Sequence, residues 1–105
     1  MSITVTVMYP NEAGSTFDMD YYLGTHGPLV HEKWDSKGLN SLKVIKGVAT
    51  PDPNTPPPYQ IVAILDFESL GAFQEAVAES GAAVMGDIPN FTNVSPVVQI
   101  NDNVV

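Results

Sequence analysis

The chain has 105 residues, of which 44% are hydrophobic, and its 12 acidic residues against 4 basic ones give a formal net charge of −8. This length and this hydrophobic content predict one globular domain. The basic residues are all lysines, so the chain lacks the basic patch that nucleic acid or an anionic membrane requires and the arginine that clamps anionic ligands. We expect a neutral or apolar small molecule as ligand, with no nucleic acid and no membrane as partners.

The absence of cysteine excludes several functions at once. Without cysteine there is no disulfide, no cysteine-ligated zinc or iron–sulfur cluster and no thiol nucleophile. The residues from Met1 to Val7 lack the basic segment and apolar run of a secretory signal peptide. No apolar stretch approaches the length needed to span a bilayer. We therefore expect a cytoplasmic protein.

The first half of the chain predicts a strand followed by a broken helix. Ile3, Val5 and Val7 alternate with threonines, which is the period of a β-strand. Asp18 is the expected N-cap of the helix, whereas Pro28 favours an interruption because it cannot donate a helical hydrogen bond. The predicted segments are a strand over residues 2–9, a helix over 18–25, a kink near His26 and Gly27, and a helix over 28–37 that Gly38 ends.

The second half of the chain predicts two strands, a helix and a last strand. The predicted segments are a strand over residues 40–50, a proline-rich loop over 51–58, a strand over 59–67, a helix over 69–80 interrupted at Gly81, a short turn over 82–86 and a strand over 92–101. The order β, α, β, β, α, β predicts the α+β class. In particular, it predicts a ferredoxin-like antiparallel sheet with two helices on one face.

The strands carry apolar residues on both faces, which predicts a homodimer. In the strand over residues 59–67, Ile61 and Leu65 share one face, while Val62 and Ile64 lie on the other. In the last strand, Val97 lies opposite its apolar neighbours. Two helices cover only one face of a sheet, and a face left in water would alternate cleanly with polar residues. We therefore expect a second copy of the chain to cover the other face, although β-propensity alone also favours valine in strands.

A long motif follows the first predicted strand. From Phe17 to Leu29 the sequence reads Phe-Asp-Met-Asp-Tyr-Tyr-Leu-Gly-Thr-His-Gly-Pro-Leu. It resembles the pattern Phe-Asp-x-x-Tyr-Tyr-x-x-x-His-x-Pro-Leu that is typical of the EthD-like family in the dimeric α/β-barrel superfamily. The stretch from Gly86 to Pro96 is similar to a second segment of that family. With the order of elements, the resemblance covers nearly the whole of residues 1–105, which we interpret as a single EthD-like domain.

The resemblance implies an architecture and a pocket, but not one reaction. It implies a ferredoxin-like fold whose homodimer closes two sheets into a dimeric α/β barrel, and a pocket between sheet and helices with His26 near its mouth. EthD-like proteins are named for a role in the degradation of ethyl tert-butyl ether. The wider superfamily includes monooxygenases without cofactors, polyketide cyclases, lactone isomerases and haem-binding enzymes. Because one fold supports many reactions, the resemblance does not choose among them.

Three side chains of the motif are the candidate site residues. An imidazole at a helix break can act as a general base near neutral pH, and a tyrosine four residues earlier shares its helix face and can help stabilise an enolate. We predict His26 and Tyr22 as catalytic residues, and Tyr21, Tyr22 and His26 as ligand-binding residues. The structural alternative is that His26 caps the broken helix by bonding a carbonyl, and that both tyrosines are core aromatics.

Metal binding and haem binding are two further roles that the two histidines could have. His26 and His31 lie five residues apart across the predicted break, near Glu32, and a spacing of four on a continuous helix would suit a metal better. Haem would need basic groups for its propionates, and the sequence places none. We expect no metal and no cofactor.

The predicted function is to act on or bind a small neutral or apolar organic molecule in the pocket between sheet and helices. If the protein is an enzyme, we expect cofactor-free proton transfer or oxygenation in a catabolic or biosynthetic pathway. The alternative is a non-catalytic protein that binds a small ligand on behalf of another enzyme. The hydrogen bonds of His26 distinguish the two, because a base points into the cavity and a structural histidine is held by backbone.

Overall fold

The computed structural model describes residues 2–104 as a four-stranded antiparallel sheet with helices on one face. In chain order the elements are β1 (Ile3–Pro10), α1 (Met19–Tyr21), the π-helical segment π1 (Tyr22–His26), α2 (Gly27–Trp34), a 3-10 turn (Asp35–Lys37), β2 (Leu39–Lys46), β3 (Tyr59–Phe67), α3 (Leu70–Gly86), a second 3-10 turn (Ile88–Asn90) and β4 (Val97–Asp102). The strands lie in the order β2-β3-β1-β4. This arrangement confirms the predicted α+β, ferredoxin-like fold.

The alternation of residues in β1 and β3 decides which face of the sheet the helices cover. These central strands bury alternate residues on one face: Ile3, Val5 and Tyr9 in β1, with Val7 partly buried, and Ile61, Ala63, Leu65 and Phe67 in β3. Helix α2 packs on this face with Val30 and Trp34, and the indole nitrogen of Trp34 donates to the carbonyl of Ala76 in α3 at 3.2 Å. The predicted division of the third strand into two faces is therefore confirmed, and the helices cover the face of Ile61 and Leu65.

The predicted break at His26 and Gly27 is wrong. The backbone of both residues is helical, with φ and ψ of −68° and −46° and of −57° and −51°. The chain instead continues through α1, π1 and α2, and π1 forms one wide turn in which the amide of Gly27 donates to the carbonyl of Tyr22 five residues earlier. Pro28 is the second residue of α2 and directly follows this wide turn, which is one of the places where an interruption of the helical hydrogen-bond ladder is accommodated.

Three other boundaries also differ from the sequence prediction. Strand β2 ends at Lys46 instead of residue 50. Helix α3 continues unbroken through Gly81, and residues 82–86 are its last turns and not a separate one. A single glycine inside a helix costs only about 1 kcal/mol, which the packing of the rest of α3 offsets. Strand β4 begins at Val97 instead of residue 92, because Pro96 cannot donate to the ladder.

The predicted N-cap at Asp18 and the predicted end of the first helical stretch at Gly38 are confirmed. The side chain of Asp18 accepts a hydrogen bond from the amide of Tyr21, and that of Ser69 accepts one from the amide of Ala72, both at 3.0 Å. Gly38 ends the first helical stretch with φ of 105°, a conformation that favours glycine. Within residues 2–104, no helix has the length and apolar content needed to cross a membrane.

The sheet face turned away from the helices is graded from apolar to polar. Strand pairing places four apolar residues, one from each strand, in a row that we call the apolar row: Ile45, Val62, Met8 and Val97. The next row across the sheet is mixed: Lys43, Ile64, Thr6 and Gln99. The third row is polar: Ser41, Asp66, Thr4 and Asn101.

Candidate active site

His26 is the last residue of π1, and its ring lies inside the protein with 4% of the residue exposed. The wide turn of π1 brings His26 and Tyr22 onto the inner side of the helix, with ring centroids 5.0 Å apart. Phe91 packs against the imidazole at 4.6 Å. The helix face that the spacing of four residues predicted for Tyr22 and His26 is therefore confirmed.

A carboxylate that follows α3 holds the imidazole. Oδ2 of Asp87 lies 2.9 Å from Nδ1 of His26, while Oδ1 accepts from the Tyr21 hydroxyl at 2.6 Å and from the Asn90 side-chain amide at 3.0 Å. Burial by itself would raise the pKa of Asp87, but the hydrogen bonds from Tyr21, Asn90 and His26 outweigh it and hold that pKa below its usual value. The carboxylate is therefore ionised near neutral pH and only accepts hydrogen bonds.

The ionised carboxylate fixes the proton of the imidazole. Because Asp87 has no proton to donate, Nδ1 of His26 carries the N–H, and the neutral ring has its lone pair on Nε2. No residue in the range 2–104 bonds Nε2, although every fully enclosed side-chain nitrogen or oxygen in that range has a partner. Nε2 therefore borders open space, and the open space that His26 lines is the cavity beneath the sheet.

This cavity lies between the sheet and the helices and has a volume of about 310 Å³. Its lining is almost entirely apolar: Val5, Val7, Tyr9, Tyr22, His26, Val30, Trp34, Leu42, Ala63, Leu65, Phe73, Val77, Val84, Met85, Ile88 and Val98. The three most exposed of these residues, Val77, Met85 and Val98, place its mouth between α3 and β4. The cavity thus has the size and lining of a site for a small apolar molecule.

Two tyrosines supply the other polar groups of the cavity. Tyr9 on β1 and Tyr22 on π1 are both buried, and neither hydroxyl has a hydrogen-bond partner among residues 2–104. Burial raises the pKa of Tyr22 to about 12. Burial, with a contribution from the nearby Tyr22, also raises the pKa of Tyr9 well above its usual value. Both phenols therefore stay protonated and act as hydrogen-bond donors at neutral pH.

The structure brings together two of the three predicted site residues. Tyr22 and His26 line the cavity, whereas Tyr21 lies outside it and donates to Asp87. His26 makes no side-chain cap hydrogen bond, so its ring is held by a carboxylate and not by the backbone carbonyl of the structural alternative.

Sequence reasoning missed Asp87 and Tyr9. Asp87 stands in the second family-like segment, 61 residues from His26, and nothing in the spacing of that segment pointed to an imidazole. Tyr9 gave only the alternation of a strand. A signal for Tyr9 was nevertheless present, because its phenol stands at an inward position of the strand. A buried tyrosine hydroxyl ordinarily has a hydrogen-bond partner, and the sequence placed no such partner near Tyr9.

The two histidines bind different aspartates. His31 is exposed on α2 and its Nδ1 lies 2.8 Å from Oδ1 of Asp35, one turn away, whereas His26 is bound to Asp87. Among residues 2–104, no group of three or more histidines, aspartates or glutamates is placed to hold a metal ion.

Comparison with known proteins places the chain in a family. The family model described as the EthD domain matches residues 15–95. Comparison with curated protein sequences gives no significant match. An EthD-like protein from Ralstonia eutropha JMP134 has a solved structure with a TM-score of 0.91 and 35% sequence identity, over 99% of this chain and 93% of that one.

Two more distant structures share the fold. An EthD-family protein from Bacillus halodurans C-125 has a TM-score of 0.76 at 19% identity, over 99% of this chain and all of that one. SnoaB from Streptomyces nogalater, described as a cofactor-independent oxygenase, has a TM-score of 0.62 at 10% identity, over 99% of this chain and 93% of that one. Because the EthD model spans most of the sequence and the Ralstonia protein is similar over nearly all of it, this chain belongs to the EthD family.

Proposed function

We propose that the cavity is an active site in which His26 acts as a general base on a small, neutral and largely apolar organic molecule. The observation that carries the proposal is the environment of the imidazole. Its Nδ1 is bonded to Asp87, and its Nε2 borders a cavity whose described lining residues include no aspartate, glutamate, lysine or arginine. A ring held in this way directs a lone pair at the ligand.

The step that this geometry supports is removal of a proton from carbon next to a carbonyl group. Nε2 of His26 accepts the proton, and the electron pair of the broken C–H bond moves into the carbonyl system to give an enolate. The carboxylate of Asp87 stabilises the imidazolium that forms, because it faces the other ring nitrogen at 2.9 Å. Return of the proton to a different atom then completes an isomerisation.

Oxygenation is the second candidate reaction. SnoaB is described as a cofactor-independent oxygenase, and a likeness at this level of identity concerns the fold alone. The same enolate would react with molecular oxygen in place of a returning proton, so deprotonation by His26 is common to both reactions. Oxygen consumption during turnover distinguishes them.

The proposal is tested by exchange of solvent deuterium into a panel of small cyclic ketones, followed by NMR. The His26→Gln variant keeps a donor for Asp87 but has no base, and we expect it to slow exchange by about 10²- to 10⁴-fold. His31→Gln is the matched control, because it changes the exposed histidine, and we expect it to exchange at the wild-type rate.

Two results would contradict general-base catalysis. One is a His26→Gln variant that exchanges deuterium as fast as the wild type. The other is a wild-type protein that binds the ketones and exchanges none of their protons above the buffer rate, which would indicate the non-catalytic binding role. Binding is followed independently by quenching of Trp34, which is the single tryptophan of the chain and lines the cavity.

We further propose that the protein is a homodimer that pairs through the sheet face away from the helices. The support is the apolar row, in which one apolar residue from each strand lies side by side across that face. A two-fold axis through the face would set this row of one protomer against the same face of its partner. Such a pairing also supplements the limited core of a chain of this size.

A further inference from the structure

The hydroxyls of Tyr9 and Tyr22 are donors without acceptors. Tyr9 belongs to the central strand β1 and Tyr22 to π1, and both residues line the cavity. Buried phenols ordinarily find a hydrogen-bond partner within the protein. No residue in the range 2–104 bonds either hydroxyl, although every fully enclosed side-chain nitrogen or oxygen there has a partner. Both hydroxyls therefore border open space, and the open space that the two residues line is the cavity.

We propose that Tyr9 and Tyr22 form a two-donor site for one oxygen atom of the ligand, and that the substrate class is a small ring compound carrying an enolisable ketone or a phenol. This inference rests on the proposed ligand-binding role of the cavity. It goes beyond that role because it states which atom of the ligand is held and by which groups.

The charge and the size of the cavity define the rest of the substrate class. Each of the four lysines lies outside the lining, so the described residues offer a carboxylate or phosphate ligand no cation. A volume of about 310 Å³ is at the small end of ligand pockets, which span about 300–1,000 Å³. Trp34 and Phe73 add aromatic surface to the wall, which suits a planar ring.

The donor pair completes the proton-abstraction step. When Nε2 of His26 takes the proton from the α-carbon, the C–H electron pair forms the new C=C bond and the carbonyl π pair moves onto oxygen. That oxygen gains negative charge, and the hydroxyls of Tyr9 and Tyr22 donate to it. No group other than the substrate and these three side chains changes its bonding, so the step needs no oxidant and no cofactor.

The test uses two probes of nearly equal size, 4-nitrophenol and 4-nitrotoluene, which differ by a hydroxyl in place of a methyl group. It is made at about pH 5.5, where the nitrophenol hydroxyl is not ionised and both probes are neutral. Affinity is measured by quenching of Trp34 and by calorimetry. We expect Tyr9→Phe and Tyr22→Phe each to weaken nitrophenol binding by about 10-fold, the usual size of one lost hydrogen bond. Nitrotoluene binding should change by less than about twofold. Tyr59→Phe is the matched control, because Tyr59 does not line the cavity, and it should bind both probes like the wild type.

The donor site is overturned if both tyrosine variants bind nitrophenol as tightly as the wild type, or if they lose nitrotoluene by the same factor. Its failure is distinguishable from failure of the proposed base. Unchanged nitrophenol affinity together with loss of deuterium exchange in His26→Gln would retain the base and remove the donor site. Weakened nitrophenol binding with no exchange by the wild type would retain the donor site and remove the base.

Discussion

At the scale of single residues, the function proposed for His26 depends on a partner far away in the sequence. The carboxylate of Asp87 receives hydrogen bonds from His26, Tyr21 and Asn90. Replacing Asp87 by asparagine removes the charge that stabilises the imidazolium and allows the wrong ring nitrogen to carry the proton. We expect Asp87→Asn to slow deuterium exchange by about 10- to 100-fold while probe affinity is retained. Unchanged exchange in this variant would show that Asp87 has only a structural role.

Asp87 also gives a prediction for stability against pH. Its pKa is lower in the folded protein than the usual 3.8, so the folded state binds the proton less readily than the unfolded chain does. The resulting stabilisation is complete above the usual value and is lost as the pH falls through the lower folded value. In urea unfolding measured from neutral pH down to about pH 2, the stability difference between wild type and Asp87→Asn should shrink below about pH 4. A difference that stays constant over this range would contradict the depressed pKa.

At the scale of elements, the sequence located the unusual segment but not its form. Glycine and proline between residues 24 and 28 correctly marked a departure from a regular helix. The choice between a break and a π turn was decided elsewhere, by the packing of Tyr22 and His26 against Phe91 and by the bond to Asp87. These contacts cross more than 60 residues of sequence, and local propensity carries no information about them.

The end of the first helical stretch offers a prediction at this scale. Gly38 has φ of 105°, and a Cβ added there would lie 2.8 Å from Cγ of Glu68 and 3.0 Å from Cβ of Ala72. Gly38→Ala should therefore lower the free energy of unfolding by about 2 kcal/mol. Gly24→Ala is the control, because a Cβ at Gly24 meets nothing within 4 Å, and we expect a change of less than about 1 kcal/mol. Equal effects of the two substitutions in urea unfolding would contradict this account of Gly38.

At the scale of the whole molecule, the fold was more predictable than the site. Three features of the fold could be predicted because each depends on near neighbours in the sequence. They are the alternation along β1 and β3, the caps at Asp18 and Ser69 and the order of elements. The cavity depends on the simultaneous placement of side chains from all four strands and from the helices. Its volume and its unbonded hydroxyls emerge only when those elements pack.

The proposed pairing of two copies belongs to this scale as well. Val62 and Val97 stand in the apolar row, so a charge at either position would be buried without a partner in the dimer. We expect Val62→Asp and Val97→Asp to be monomeric at micromolar concentration by sedimentation velocity. Val48→Asp places the same substitution on an exposed loop residue and should leave the dimer intact. A Val97→Asp variant that remains dimeric would contradict the assignment of this face.

The central claim is that His26 presents an unprotonated Nε2 to the cavity while Asp87 holds its Nδ1 proton. The chain has two histidines, so long-range ¹H–¹⁵N NMR of histidine-labelled protein gives two ring systems, and His31→Gln assigns them. At about pH 8, where an imidazole is ordinarily neutral, we expect the proton of His26 on Nδ1 and an Nε2 signal that shifts when 4-nitrotoluene, which is neutral at this pH, is added. A His26 ring protonated on Nε2 under these conditions, or one that does not respond to the probe, would contradict the claim.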